Sequence, residues 1–152
     1  MEQLAQFAIL SALLIVVLSL FGVVLYVLMS IGLYRLASKA GIQHAWLSWI
    51  PIGNFYILGM LLSSIQLGSL EVPSLQIVLP VAFVVYLIFR KAAVLGVILS
   101  LLMYVFMIIC LYFLFKRYCS EKAVLYTVLS AVFPFLAPIF IFAIRNNRTE
   151  QL

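Results

Sequence analysis

Residues 3–34 contain no Lys, Arg, Asp or Glu. A surface helix of a soluble protein carries a polar face, and a helix that is apolar all round belongs in a core or in lipid. Fully helical, these 32 residues would reach about 48 Å, more than the roughly 30 Å of a bilayer's hydrocarbon. Four further uncharged runs follow at 45–70, 72–89, 92–115 and 123–144. Their lengths suit helices rather than the ~10-residue strands of a membrane barrel. The reading is an all-α polytopic transmembrane helix bundle in one domain, 1–152, with about five segments near 4–34, 45–67, 72–89, 92–115 and 123–144.

Composition agrees. The chain is 68% hydrophobic and 9% charged, whereas a soluble domain is nearer half apolar and a quarter charged. Met1-Glu2 lacks the basic start of a secretory signal, and the first run outlasts a signal's apolar core, so a retained span is expected. The net charge of +5 sits at segment ends, which points to orientation and to anionic lipid head groups. Nucleic-acid binding would need a clustered basic face, and none is evident.

With five crossings and the N-terminus outside, Arg35, Lys39, Arg90, Lys91, Arg145 and Arg148 lie inside, and Lys116, Arg117 and Lys122 outside. If 45–70 instead dips in and returns, Arg35, Lys39, Lys116, Arg117 and Lys122 share the inner side. The first arrangement is preferred, with the C-terminus inside. Gly41, just past Lys39, is placed to end the first helix as a left-handed cap.

The stretch WLSWIPIGNFYILG, 46–59, admits two structures. In one, a single helix spans 45–67, anchored at head-group level by Trp46 and Trp49 and kinked at Pro51. In the other, a short helix is followed by a turn at Pro51 and Gly53, and Asn54 caps a new half-length, re-entrant helix. The kinked span is favoured. The re-entrant form would make a binding site at a broken helix.

The polar groups inside the runs are amides and hydroxyls: Asn54, Gln66, Gln76, Ser100, Thr127 and Ser130. Pumps and proton-coupled carriers keep ionisable groups at this depth, and these runs have none. Pro134 and Pro138 release backbone carbonyls, at Ser130 and Pro134, that could face a cation. They more often shape a helix. Ala92, Gly96 and Ser100 recur every fourth residue, as do Ala8 and Ala12. Such stripes allow close helix approach, within the chain or to a partner.

Chemistry is thinly supplied. No metal set and no acidic cluster for Mg²⁺ can be assembled from Glu2, Glu71, Glu121 and Glu150. A His44–Cys119 dyad is formally possible, but five crossings put the two on opposite sides. No cofactor is expected.

The segments LYRLASKAGIQHAWLSWIPIGNFYILGML and YFLFKRYCSEKAVLYTVLS resemble a group of functionally uncharacterised small bacterial multipass membrane proteins. Their shared pattern is Gly, then Trp, then Ile-Pro-x-x-Asn, here at Gly41, Trp46, Pro51 and Asn54. The resemblance covers about half the chain and implies a bacterial cytoplasmic membrane protein. It implies no activity.

The expected function is that of a small non-enzymatic integral membrane protein, a subunit or accessory partner of a larger membrane complex. Its partners are membrane lipids and another integral membrane protein or a second copy, and its interface is Ala92, Gly96 and Ser100. The alternative is a transport or channel component binding a small solute, ion or lipid at Pro51, Gly53 and Asn54, with Gln66, Gln76, Ser130 and Pro134.

Overall fold

A computed structural model describes residues 2–63, 65–67 and 70–148, with side chains described at 2–63 and 73–148. The fold is helical, interrupted by one short hairpin. Helix α1, Glu2–Lys39, is longer than the first uncharged run at both ends. It stops where the sequence implied. Gly41 has φ +76, the Ile42 N–H donates to the Ala37 carbonyl at 3.0 Å and the Gly41 N–H to Ser38 at 3.2 Å. This is the pair of bonds that a left-handed glycine completes at a helix end.

The second segment is not one kinked helix. A 3₁₀ turn, Ala45–Trp49, ends at Ile50, which is extended, and α2, Pro51–Leu62, begins afresh. Proline has no N–H for the Leu47 carbonyl; the Ile50 N–H takes it instead, at 3.0 Å. Pro51 then occupies the first helical position, where a missing donor costs nothing. Asn54 is not the cap. Its N–H already donates to the Ile50 carbonyl at 2.9 Å, so the helix starts three residues earlier.

Strands β1, Ile65–Leu67, and β2, Leu70–Val72, pair antiparallel with Ile65 opposite Val72. Helix α3, Leu75–Phe89, turns at Arg90–Ala92 into α4, Ala93–Tyr118. The fifth segment is also broken, where one helix over 123–144 was expected. Helix α5, Ala123–Val132, ends with the Phe133 N–H on Leu129 at 2.8 Å, and α6, Leu136–Ala143, follows a turn through Pro134. Pro134 cannot donate to Ser130, and Pro138 falls in the first turn of α6, where no donor is needed.

Side-chain bonds fix which helix ends lie together. The Lys39 ammonium donates to the Asn146 carbonyl at 2.7 Å. The Asn147 amide donates to the Tyr118 carbonyl at 2.9 Å. Arg117 donates to the carbonyls of Leu61 and Leu62 at 2.9 and 3.2 Å. The C-terminal ends of α1, α2, α4 and α6 therefore share one end of the molecule. Phe55 stacks on Phe83 at 4.3 Å, and Phe115 meets Tyr126 edge-on at 5.6 Å, so α3 and α5 run the opposite way.

This end gathers Arg35, Lys39, Lys116, Arg117, Lys122, Arg145 and Arg148, and only Arg90 and Lys91 lie at the far end. The expected separation of Lys116, Arg117 and Lys122 from Arg35 and Lys39 does not occur, because 45–62 and 123–146 each go out and come back. The core sits towards the basic end: Leu33, Leu36, Leu58, Leu114, Phe115 and Ile141 are fully buried. Residues 2–24 of α1 are exposed throughout. Helices α1 and α4 are long and apolar enough to cross a membrane; α2 and α3 are shorter apolar helices.

Candidate functional site

Among the described residues four side-chain oxygens are buried without a hydrogen-bond partner: Ser30 Oγ, Ser48 Oγ, Asn54 Oδ1 and Ser130 Oγ. A buried polar atom without a partner costs about 1–3 kcal/mol, so four in one small chain call for an explanation. They share a depth. Ser30 lies nine residues before Lys39, Asn54 eight before Leu62, and Ser130 seven after Ala123, each about 10–14 Å from the basic end at helical rise. Ser48 is held near Asn54, because the Leu47 carbonyl packs on Gly53.

The first helix break builds this level. The Tyr26 hydroxyl donates to the Trp49 carbonyl at 2.6 Å, which draws the 3₁₀ turn up along α1. Ser30 is one turn from Tyr26 on the same side of α1. A Cβ at Gly53 would lie 2.1 Å from the Leu47 carbonyl oxygen, so only glycine lets α2 descend beside the segment that climbed. The second break is pinned likewise: the Tyr104 hydroxyl donates to the Ala131 carbonyl, and the Phe21 and Phe135 rings are 6.4 Å apart.

The structure places part of the set picked from sequence at the two helix breaks. Pro51, Gly53, Asn54, Ser130 and Pro134 all lie at or beside the two breaks. The Pro134 carbonyl is not free, since it accepts the Ala137 N–H at 3.3 Å. Gln76 lies at the start of α3, near the basic end. The side chain of Gln66, in β1, lies outside the described residues. Thr127 Oγ1 donates to its own helix, at Ala123, 2.7 Å away. Ser30 and Ser48 were not singled out from sequence; a serine in a long apolar run gives no sign of whether it faces the interior.

Gly96 is buried, but by its own chain. A Cβ there would stand 2.5 Å from the Arg90 carbonyl oxygen. Ser100 bonds back to Gly96 at 2.7 Å, and Ala92 is exposed in the turn. The glycine thus serves the α3–α4 turn. Trp46 and Trp49 are both exposed, but Trp49 is tied to Tyr26, thirteen residues or about 20 Å along α1 from Lys39, away from the basic end.

The oxygens at this depth are neutral hydroxyl and amide groups, able to accept from a ligand's N–H or O–H, or to face a weakly hydrated cation. Among the described residues no three His, Cys, Asp or Glu side chains come together. His44 and Cys119 follow the C-terminal ends of α1 and α4, so they lie at the same end of the molecule rather than on opposite sides. No family model, curated protein or solved structure matches the chain.

Proposed function

We propose that this is a non-enzymatic, multi-pass protein of the bacterial cytoplasmic membrane, acting as a subunit or accessory partner of a larger membrane complex. Membrane residence is supported by an inverted surface. Among the described residues 42 large apolar side chains are exposed, against a core of 18 buried ones. Water would not tolerate that ratio in contiguous patches. In this reading α1, α3 and α4 cross, and 45–62 and 123–146 enter from the basic side and return to it. Seven cations against two support a cytoplasmic position for that side, with the N-terminus outside and the C-terminus inside in this reading. Three crossings replace the five expected from run lengths. Helix α3, of 15 residues, reaches about 22 Å and needs local thinning of the bilayer.

The observation that carries the subunit reading is an overhang. Counted from the shared basic end, α4 extends 26 residues, from Tyr118 to Ala93. The same count along α1, from Lys39, reaches Leu14. Residues 2–13 therefore stand about 18 Å beyond the far end of α4, exposed throughout and apolar except at Glu2, Gln3, Gln6 and Ser11. The helices of another membrane protein would cover this arm, and Ala8 and Ala12 let a partner helix approach. A photo-crosslinker at Leu10 or Leu13 in native membranes should capture one defined protein. Adducts with lipid alone would mean the arm tilts into the bilayer, and the reading would fail.

The second reading, a transport or channel component, is favoured by the four unpartnered oxygens at the helix breaks. Broken helices at mid-depth are where transporters hold solutes. Asn54→Leu should then abolish solute binding while the protein still inserts; binding that survives the change removes this reading.

A further inference from the structure

We propose that a cleft at the basic end is a binding site for the phosphodiester head group of an anionic membrane lipid. The cleft, about 450 Å³, is lined by Leu36, Lys39, Ala40, Tyr118, Asn147 and Arg148. That volume lies within the range of small-ligand sites. It is formed where three chain ends meet: the last turn of α1, the last residue of α4 and the segment after α6. The two bonds that join these ends, Lys39 to the Asn146 carbonyl and Asn147 to the Tyr118 carbonyl, also build its walls.

Among the described residues its lining has two cations, Lys39 and Arg148, and no carboxylate. The Lys39 ammonium has three N–H groups, and one is engaged by Asn146, which holds the side chain in place and leaves two donors. Arg148 is exposed and has no ion pair among the described residues, so its guanidinium fork is available for a phosphate. Arg35, one turn before Lys39 on α1, adds charge on the same side. The other walls are Leu36, Ala40 and the ring of Tyr118. Cations above an apolar floor, between helices at the end richest in Lys and Arg, suit a head group whose acyl chains continue into the bilayer. Basic pockets between membrane helices on the cytoplasmic side take phospholipid head groups in this way. A free phosphate would use the same donors but not the apolar floor.

Native mass spectrometry of the full chain in detergent, with added phosphatidylglycerol or phosphatidylcholine of matched chains, tests this. The wild type should retain phosphatidylglycerol in preference. Arg148→Gln removes an exposed charge and leaves the fold intact; it should weaken retention roughly fivefold, the worth of about one cation near an anionic surface. Lys39→Gln should weaken it at least as much, and Lys39→Arg should restore it. The Arg90→Gln/Lys91→Gln double variant, which loses more charge at the far end, should retain the lipid normally. Equal loss in that variant, or no preference over phosphatidylcholine, overturns the proposal. Displacement of the lipid by millimolar glycerol phosphate would keep the phosphate chemistry and overturn the lipid assignment.

Discussion

At the residue scale, three glycines separate by what surrounds them. A Cβ at Gly53 would meet the Leu47 carbonyl oxygen at 2.1 Å, and one at Gly59 would meet the Leu75 carbonyl oxygen at 2.4 Å, whereas Gly22 has open space. Backbone atoms cannot swing aside as a side-chain tip can. Gly53→Ala and Gly59→Ala should each destabilise by about 2 kcal/mol or more, while Gly22→Ala should be neutral or slightly stabilising. Thermal unfolding in detergent would rank them. Asn54 makes a different prediction. Its Oδ1 is buried without a partner, so an apolar side chain of similar volume removes a desolvation penalty. Without ligand, Asn54→Leu should be neutral or more stable by about 1 kcal/mol; a large loss would show that the amide has a structural partner.

At the scale of the element, α2 ends on a side chain from elsewhere. Arg117 of α4 donates to the Leu61 and Leu62 carbonyls, which as last-turn groups have no acceptor role inside their own helix. Arg117→Met keeps the aliphatic stem and removes both bonds. It should cost about 1–3 kcal/mol and free the C-terminal end of α2, read as faster amide exchange at Leu61–Ser63. The two broken segments make a sidedness prediction. A single span over 123–144 would put Lys122 and Asn147 on opposite sides. The α5–α6 pair returns them to one side, with Ser38, and leaves Lys91 on the other. With Cys119 changed to Ser and Cys110 buried, cysteines introduced one at a time at 122 and 147 should react with an impermeant thiol reagent from the same face of sealed vesicles. Opposite reactivity would mean that 123–146 crosses.

At the scale of the whole molecule, the two out-and-back segments decide where charge lies. They collect seven cations at one end, and on this rest both the proposed orientation and the cleft between Lys39 and Arg148. They also hold the core near that end and leave residues 2–24 of α1 exposed. If the arm is an interface, removing residues 2–13 should abolish association while the basic-end core still folds; blue-native electrophoresis of membrane extracts would read this as loss of a larger species with the monomer retained.

The sequence by itself determined the apolar helical character, the end of α1 at Gly41 and the presence of a break near Pro51. Each is local: hydropathy over one run, a positive φ that glycine permits, a missing N–H. The same kind of signal pointed to Pro134, but whether a proline bends a helix or divides it depends on what can take up the carbonyls it leaves. Here Tyr26 holds Trp49, Tyr104 holds Ala131 and Arg117 holds Leu61, partners that stand 23 to 56 residues apart in the chain, farther than any pattern of spacing reaches. Only the tertiary structure decided that 45–62 and 123–146 return to the end they came from, that Gly96 lies against the Arg90 carbonyl, and that Ser30, Ser48, Asn54 and Ser130 share one depth. Run length measures how far a helix could go; its direction is set by the long-range bonds that catch its ends.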